Sequence, residues 1–108
     1  MDQTTIQPLL TDFKREVQQL YQNRLADIYL FSSYARGEAT EDSDVDLLVM
    51  LNDEAISPFN EIGVIGDVAH QIGLDYETLI SVVPTTRLRF EQMDSPSHRN
   101  VLREGKRL

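Results

Sequence analysis

The stretch that decides the fold is residues 31–51, FSSYARGEATEDSDVDLLVML, in which a polar loop separates two apolar segments. The second segment begins Asp44-Val45-Asp46 and continues as the apolar run 47–51. This pattern predicts a buried strand that starts with an acidic pair. Because side chains alternate between the two faces of a strand, Asp44 and Asp46 point the same way, with Cα atoms about 6.5–7 Å apart.

Two carboxylates on one face of a strand need a physical reason. At that separation they repel each other by about 2–2.5 kcal/mol if the effective dielectric constant is about 20. A divalent cation bound between them removes the repulsion, and hard cations such as Mg²⁺ prefer carboxylate oxygens. The sequence therefore predicts a metal site at the start of this strand.

The residues before the pair are typical of a phosphate site. Residues 27–31 are predicted to form a strand that ends at Ser32 and Ser33, and residues 34–36 can begin a helical turn. A helix start directly after a strand presents free backbone N–H groups and the positive end of a dipole, which suit phosphate. Ser33 adds a hydroxyl, and Arg36 lies on the same side of the turn. Together with paired carboxylates, this is the minimum needed to move a phosphoryl or nucleotidyl group.

These residues carry a family resemblance. Ser33, ten intervening residues and then Asp44-Val45-Asp46 resemble the signature of the DNA polymerase β-like nucleotidyltransferase superfamily. More narrowly, SYARG at 33–37 and SDVDL at 43–47 are similar to the minimal nucleotidyltransferases, small proteins often paired with HEPN-domain toxins. The family pattern has Gly and then Ser at the turn, and this chain has Ser32 where the Gly is expected.

The resemblance implies an α/β (α+β) fold, a small mixed β-sheet with helices mainly on one face, as a single domain over residues 1–108. It implies that Ser32, Ser33 and Arg36 hold the phosphates of ATP and that Asp44 and Asp46 bind two Mg²⁺ ions. In the superfamily a third carboxylate, on a later strand beside the pair, completes the metal site. Two candidates share one face of the predicted strand 74–84: Glu77 is the first choice and Asp75 the second.

The implied activity is transfer of AMP from ATP to a hydroxyl, on a tyrosine of a separate HEPN toxin partner, so that the chain acts as an antitoxin. An alternative is a binding module with a decayed active site that neutralises its toxin by occlusion, a hypothesis that Ser32 supports. A weaker third hypothesis is an enzyme that modifies a free small molecule.

Composition sets outer limits on these hypotheses. The chain has 108 residues, 41% hydrophobic and 26% charged, which suits one compact domain, and it lacks Cys, so thiolate metal sites are excluded. The formal net charge of -8 argues against a nucleic-acid partner. The N-terminus does not resemble a signal peptide, and the apolar run 47–51 is far too short to span a membrane, so we expect a cytoplasmic protein without membrane association.

The remaining segments alternate between helical and extended patterns. Apolar residues at spacings of three and four predict a helix over 6–21, and Ser57 and Pro58 predict the start of a second helix that ends at Gly73. We predict a strand over 74–84, a short helix from Arg87 to about Met93 that Thr85 or Thr86 opens, and a last helix over 96–104.

Other interpretations of the motif fail on spacing. A helix–loop–helix calcium site that starts at Asp42 requires Gly at its sixth position and Glu at its twelfth, where this chain has Leu47 and Asp53. The phosphate-binding pattern Gly-x-x-x-x-Gly-Lys does not occur in the sequence. A structural role as turn formers explains Asp42 and Ser43 but leaves Asp46, inside the strand, unexplained.

Overall fold

The computed structural model describes residues 6–31, 44–92 and 105–108. The elements are α1 (Ile6–Tyr21), a 3₁₀ turn (Gln22–Arg24), β1 (Leu25–Phe31), β2 (Val45–Leu51), α2 (Pro58–Asp75), β3 (Ile80–Thr86), α3 (Arg87–Gln92) and β4 (Lys106–Arg107). The predicted helix over 96–104 lies outside the described residues.

The strands form one mixed sheet in the order β3-β2-β1-β4. Strand β1 is antiparallel to both β2 and β4, whereas β2 and β3 are parallel. Strand β2 is therefore paired on both edges, and its residues from Leu47 to Leu51 are all buried. A strand that is covered on both faces carries a continuous apolar run, as this one does.

Helices α1 and α2 pack on one face of the sheet, so the predicted mixed sheet with helices mainly on one face is confirmed. The core on this side joins α1, α2 and alternate residues of β2. Its fully buried members include Phe13, Leu47, Val49 and Ile65. Burial of each such side chain contributes about 1.5–3 kcal/mol.

Helix α1 has the predicted bounds, and its apolar stripe is buried except for Leu20, which is 41% exposed. Its last residue, Tyr21, enters a polar cluster at the C-terminal end of β2. The Tyr21 hydroxyl donates to Glu61 Oε2 at 2.6 Å. Arg24 donates to Asp53 and to Glu61, each at 3.0 Å, so the cluster joins the ends of α1 and β2 to the start of α2.

The predicted boundary between α2 and β3 is wrong. The helix continues past Gly73 to Asp75, and the strand begins at Ile80 rather than at residue 74. Gly73 is needed for a close approach, since a Cβ there would lie 2.7 Å from the backbone oxygen of Thr78. The chain turns instead at Glu77, which has a φ of 54°. Residues 74–79, which were predicted to begin the strand, therefore form the end of the helix and a turn.

Strand β3 lies at one edge of the sheet, and Pro84 fits this position. The Val45 N–H donates to the carbonyl of Leu79 at 2.9 Å. Because backbone groups in a parallel strand alternate in direction, odd-numbered residues of β3 face β2, and the missing N–H of Pro84 faces away from it. The proline therefore removes no hydrogen bond from the ladder.

Tyr21 makes the stability of the fold sensitive to alkaline pH. Burial and the hydrogen bond to Glu61 raise the pKa of Tyr21 above its ordinary value of about 10. The stabilisation is fully present below pH about 10 and is lost as the pH rises beyond it, because the unfolded chain releases the proton first. In urea unfolding at several pH values, Tyr21→Phe should lower stability at neutral pH by about 1–2 kcal/mol and flatten the alkaline decline.

In Tyr21→Phe the loss of stability at alkaline pH should become smaller but should not disappear. A hydrogen bond to Asp12 also raises the pKa of Tyr76, and Tyr76 is still present in this variant. Tyr29→Phe, on the other face of the sheet, is the control. Parallel pH curves for the wild-type chain and Tyr21→Phe would contradict the prediction.

Two glycines of α2 should respond in opposite ways to replacement by alanine. Gly73→Ala should lower the free energy of unfolding by about 1–3 kcal/mol, because the new Cβ forces the Thr78 backbone to move. At Gly66 a Cβ meets nothing within 4 Å, so Gly66→Ala should raise it by up to about 1 kcal/mol through helix propensity. If chemical unfolding showed the same change in the free energy of unfolding for both variants, the close approach of Thr78 would not be what requires glycine at position 73.

Candidate active site

The acidic pair lies where the sequence places it, at the start of the central strand. Asp44 is exposed and directly precedes β2, and Asp46 is the second residue of the strand and half-buried. Val45 and Leu47 point into the core beneath the helices, so Asp44 and Asp46 face the opposite side of the sheet. The shared face predicted for the two carboxylates follows from this alternation.

The register of the sheet defines the immediate neighbours of Asp46. Its partner in β1 is Phe31 and its partner in β3 is Ser81. Phe31 is also the residue that precedes the predicted phosphate-binding turn in the chain. Ser32, Ser33 and Arg36 themselves lie outside the described residues, so their role stays a prediction.

An apolar cluster continues from the pair along the same face of the sheet. Leu48, Met50 and Phe90 are its buried members, and Ala26, Tyr29 and Phe31 pack against them. The Tyr29 and Phe90 rings stack with centroids 6.3 Å apart and an interplanar angle of 19°. Phe31 is the register partner of Asp46, so this apolar surface begins next to the second residue of the pair.

The short helix α3 supplies Phe90 to this cluster and begins as predicted after Thr86. Thr86 is 2% exposed, and its Oγ1 accepts a hydrogen bond from the backbone N–H of Arg89 at 3.0 Å. This contact is a helix N-cap, which fixes where α3 starts on β3. Apart from the spacing between Phe90 and the cap residue Thr86, nothing in the sequence indicated that α3 contributes an aromatic side chain to this face of the sheet.

The two candidates for a third carboxylate do not lie on a strand. Asp75 is the last residue of α2, and Glu77 lies in the turn that precedes β3. Among residues 6–31, 44–92 and 105–108, no three acidic or histidine side chains form a group that could hold a metal ion. The structure therefore keeps Asp44 and Asp46 on one strand face and does not bring Glu77 or Asp75 into a three-ligand group with them.

The predicted strand 74–84 contained Ser81 on the same face as Asp75 and Glu77, but the two carboxylates were preferred to it as candidates, and the observed strand begins six residues later than predicted. With the strand start at Ile80, the parallel register places Ser81 beside Asp46. The signal that could have found it is the apolar, β-branched segment ISVVP, which is more typical of a buried strand than the preceding acidic residues are.

A model of the nucleotidyltransferase domain family matches residues 10–108 of the chain. The chain belongs to the nucleotidyltransferase family. A relative from Methanocaldococcus jannaschii, named as a protein adenylyltransferase, is 31% identical to this nucleotidyltransferase over 98 residues, which cover 90% of the chain and 91% of the relative. The protein adenylyltransferase MntA of Thermococcus cleftensis is 50% identical over 44 residues, 41% of this chain and 42% of MntA.

Solved structures share the fold of this nucleotidyltransferase. A structure of a minimal nucleotidyltransferase matches with a TM-score of 0.62 and 24% identity, and the match covers 100% of this chain and 97% of that one. A crystal structure of a toxin–antitoxin with AMP-PNP matches with a TM-score of 0.62 and 19% identity, over 88% of this chain and 68% of that one. The predicted family and fold are thus confirmed. In the part of the chain that the structure describes, no helix is long and apolar enough to cross a membrane.

Glu77 is expected to act as a turn residue. Glu77→Gly should raise the free energy of unfolding by up to about 1 kcal/mol, because Gly adopts a positive φ without the steric cost of a Cβ. Glu77→Gln keeps that cost and should change stability by less than about 0.5 kcal/mol. In calorimetry with ATP and magnesium, both variants should behave as the wild-type chain does. A loss of affinity for ATP in both, relative to the wild-type chain, would make Glu77 a ligand of the site.

Proposed function

We propose that this nucleotidyltransferase transfers AMP from ATP to a tyrosine hydroxyl of a HEPN-domain toxin and so acts as an antitoxin. The single observation that carries the proposal is the position of Asp44 and Asp46 on one face of β2, next to the end of β1. The M. jannaschii relative and MntA are named as protein adenylyltransferases, which supports a protein as acceptor.

The donor set fits one magnesium ion bound together with a nucleotide. Mg²⁺ is usually held by one or two carboxylates and by phosphate oxygens of the substrate, with water in the remaining positions. Asp44, which is exposed, and Asp46, which is half-buried beside the apolar cluster, are suitable carboxylates for this arrangement. When bound, the ion would polarise the phosphates and stabilise the departing pyrophosphate.

The proposed reaction is an in-line displacement at the α-phosphorus. The tyrosine oxygen forms a bond to this phosphorus, the bond from the phosphorus to the bridging oxygen breaks, pyrophosphate leaves, and the hydroxyl proton passes to solvent. The part of this chain is to orient the triphosphate, with Asp44 and Asp46 at the α-phosphate end and Ser32, Ser33 and Arg36 on the terminal phosphates. Positioning and charge neutralisation supply most of the catalysis in transfers of this kind.

A second candidate function is neutralisation of the toxin by occlusion, with little or no transfer. It is favoured by the composition of β3, since none of the seven residues of this strand, Ile80–Thr86, carries a carboxylate. Both functions use the same partner, and they differ in whether the acidic pair is required.

The test of the proposed function is the double variant Asp44→Asn/Asp46→Asn. In calorimetry, the wild-type chain should bind ATP more tightly with magnesium than without it, and the variant should lose the magnesium-dependent part because its neutral amides hold the ion poorly. The matched control is Glu54→Gln/Asp67→Asn, which removes the same charge from exposed positions elsewhere. Equal binding by the two double variants would overturn the metal site.

The second step of the test uses a HEPN toxin co-purified with the chain and ATP labelled at the α-phosphate. Label should appear on the toxin with the wild-type chain and with the control, and it should be lost with Asp44→Asn/Asp46→Asn. If this variant still forms the complex and still neutralises the toxin, occlusion rather than transfer is the mechanism.

A further inference from the structure

We propose that the described side chains provide for one of the two magnesium ions of nucleotidyl transfer, and that Ser81 occupies the position where a carboxylate would anchor the other. The inference rests on the proposed function, because it concerns the same site. It departs from the two-ion site that the family resemblance implies.

The direction of Ser81 follows from its two neighbours in β3. Ile80 and Val82, on either side of it, pack against the core beneath α1 and α2. Because side chains alternate along a strand, Ser81 faces the opposite side of the sheet, as Asp46 does. The two residues are register partners in adjacent parallel strands, so their Cα atoms are about 4.8 Å apart. This makes Ser81 the residue of β3 nearest to the acidic pair.

The strands on either side of β2 carry no further carboxylate close to Asp46. Strand β3 has the sequence ISVVPTT, without an acidic residue. On β1, Asp27 faces the same side as Asp46 but is paired with Met50, four residues further along β2 and therefore about 13 Å away. Asp27 also forms an ion pair of 2.7 Å with Arg107. Neither neighbouring strand thus adds a carboxylate next to Asp46.

The charge of the acidic pair limits the number of divalent ions that it can hold. Two divalent ions held about 3.5–4 Å apart repel each other strongly, and anionic ligands between and around them are needed to offset this. Asp44 and Asp46 carry two negative charges, and the serine hydroxyl adds none. The ion that arrives with the triphosphate brings its own anionic ligands, whereas an ion placed to activate the acceptor hydroxyl depends on protein carboxylates. In residues 6–31, 44–92 and 105–108, the arrangement of carboxylates therefore favours the nucleotide-bound ion alone.

The experiment counts metal ions. The probe is Mn²⁺, titrated in the presence of an ATP analogue with a methylene group between the α- and β-phosphorus atoms, so that no transfer occurs. Paramagnetic resonance of free Mn²⁺ gives the number of ions bound per chain. We expect one for the wild-type chain, two for Ser81→Asp, and one for Ser81→Asn, which is the uncharged control of the same size.

The outcomes separate this inference from the proposed function. Two ions on the wild-type chain would overturn the inference and leave the proposed function standing, because another carboxylate then completes the site. One ion on a folded Ser81→Asp chain would also overturn it. Failure of the wild-type chain to bind the analogue with Mn²⁺ would overturn the proposed function and this inference with it. If Ser81→Asp does not fold, as judged by circular dichroism, the wild-type count decides.

Transfer to the toxin provides an independent measurement. With the second ion anchored, Ser81→Asp should transfer AMP at least about 10-fold faster than the wild-type chain at saturating nucleotide, while Ser81→Asn should not. An equal rate in both variants would show that the carboxylate has no role in activating the acceptor.

Discussion

The pairing of β2 on both of its edges is the constraint on which the rest of the structure depends. Strand β1 fixes one edge in antiparallel register and β3 fixes the other in parallel register, over all seven residues in the latter case. One face of β2 packs beneath α1 and α2, and the other packs against Leu48, Met50 and Phe90. A slip of one residue would move the helix-facing side chains of β2 to the other face of the sheet, so burial and pairing together specify its register.

This constraint explains how two carboxylates can remain at a strand start. Their mutual repulsion is about 2–2.5 kcal/mol, whereas each fully buried side chain of the same strand contributes about 1.5–3 kcal/mol. The strand has several such side chains, among them Val45, Leu47 and Leu51. The fold can therefore hold the acidic pair in place without a bound cation.

Sequence patterns correctly predicted those helices and strands whose positions depend on their own residues. Helix α1 has a regular apolar stripe and the predicted bounds, and the uninterrupted run of β2 marked a buried central strand. The start of α2 followed from Pro58 at its first turn, although Ser57 makes no side-chain cap hydrogen bond there. The position of the acidic pair could be predicted from sequence because Asp44 directly precedes β2 and Asp46 is its second residue, so local spacing places both at the start of this strand.

Other features were misplaced or could not be predicted in this way. Gly73 was interpreted as the helix stop, but it lies in the last turn of α2, where its carbonyl accepts from the Thr78 N–H at 2.9 Å, and the left-handed residue after the helix is Glu77. That error moved the predicted strand and put Glu77 on it. Strand β4 consists of Lys106 and Arg107, and their pairing with β1 becomes evident only in three dimensions. The position of Ser81 beside Asp46 was missed for the same reason, since it depends on the register between two strands.

Pro84 lacks an N–H on the side of β3 that faces away from β2, and this affects how readily two chains can associate through this edge. An exposed strand edge is a template on which a second chain can add another strand, and this is a common beginning of aggregation. In β3 the middle of that edge offers no hydrogen-bond donor, so an added strand would meet an interruption in the ladder. Within the described residues β3 is the last strand on this side of the sheet, and Pro84 interrupts the row of donors on its outer edge.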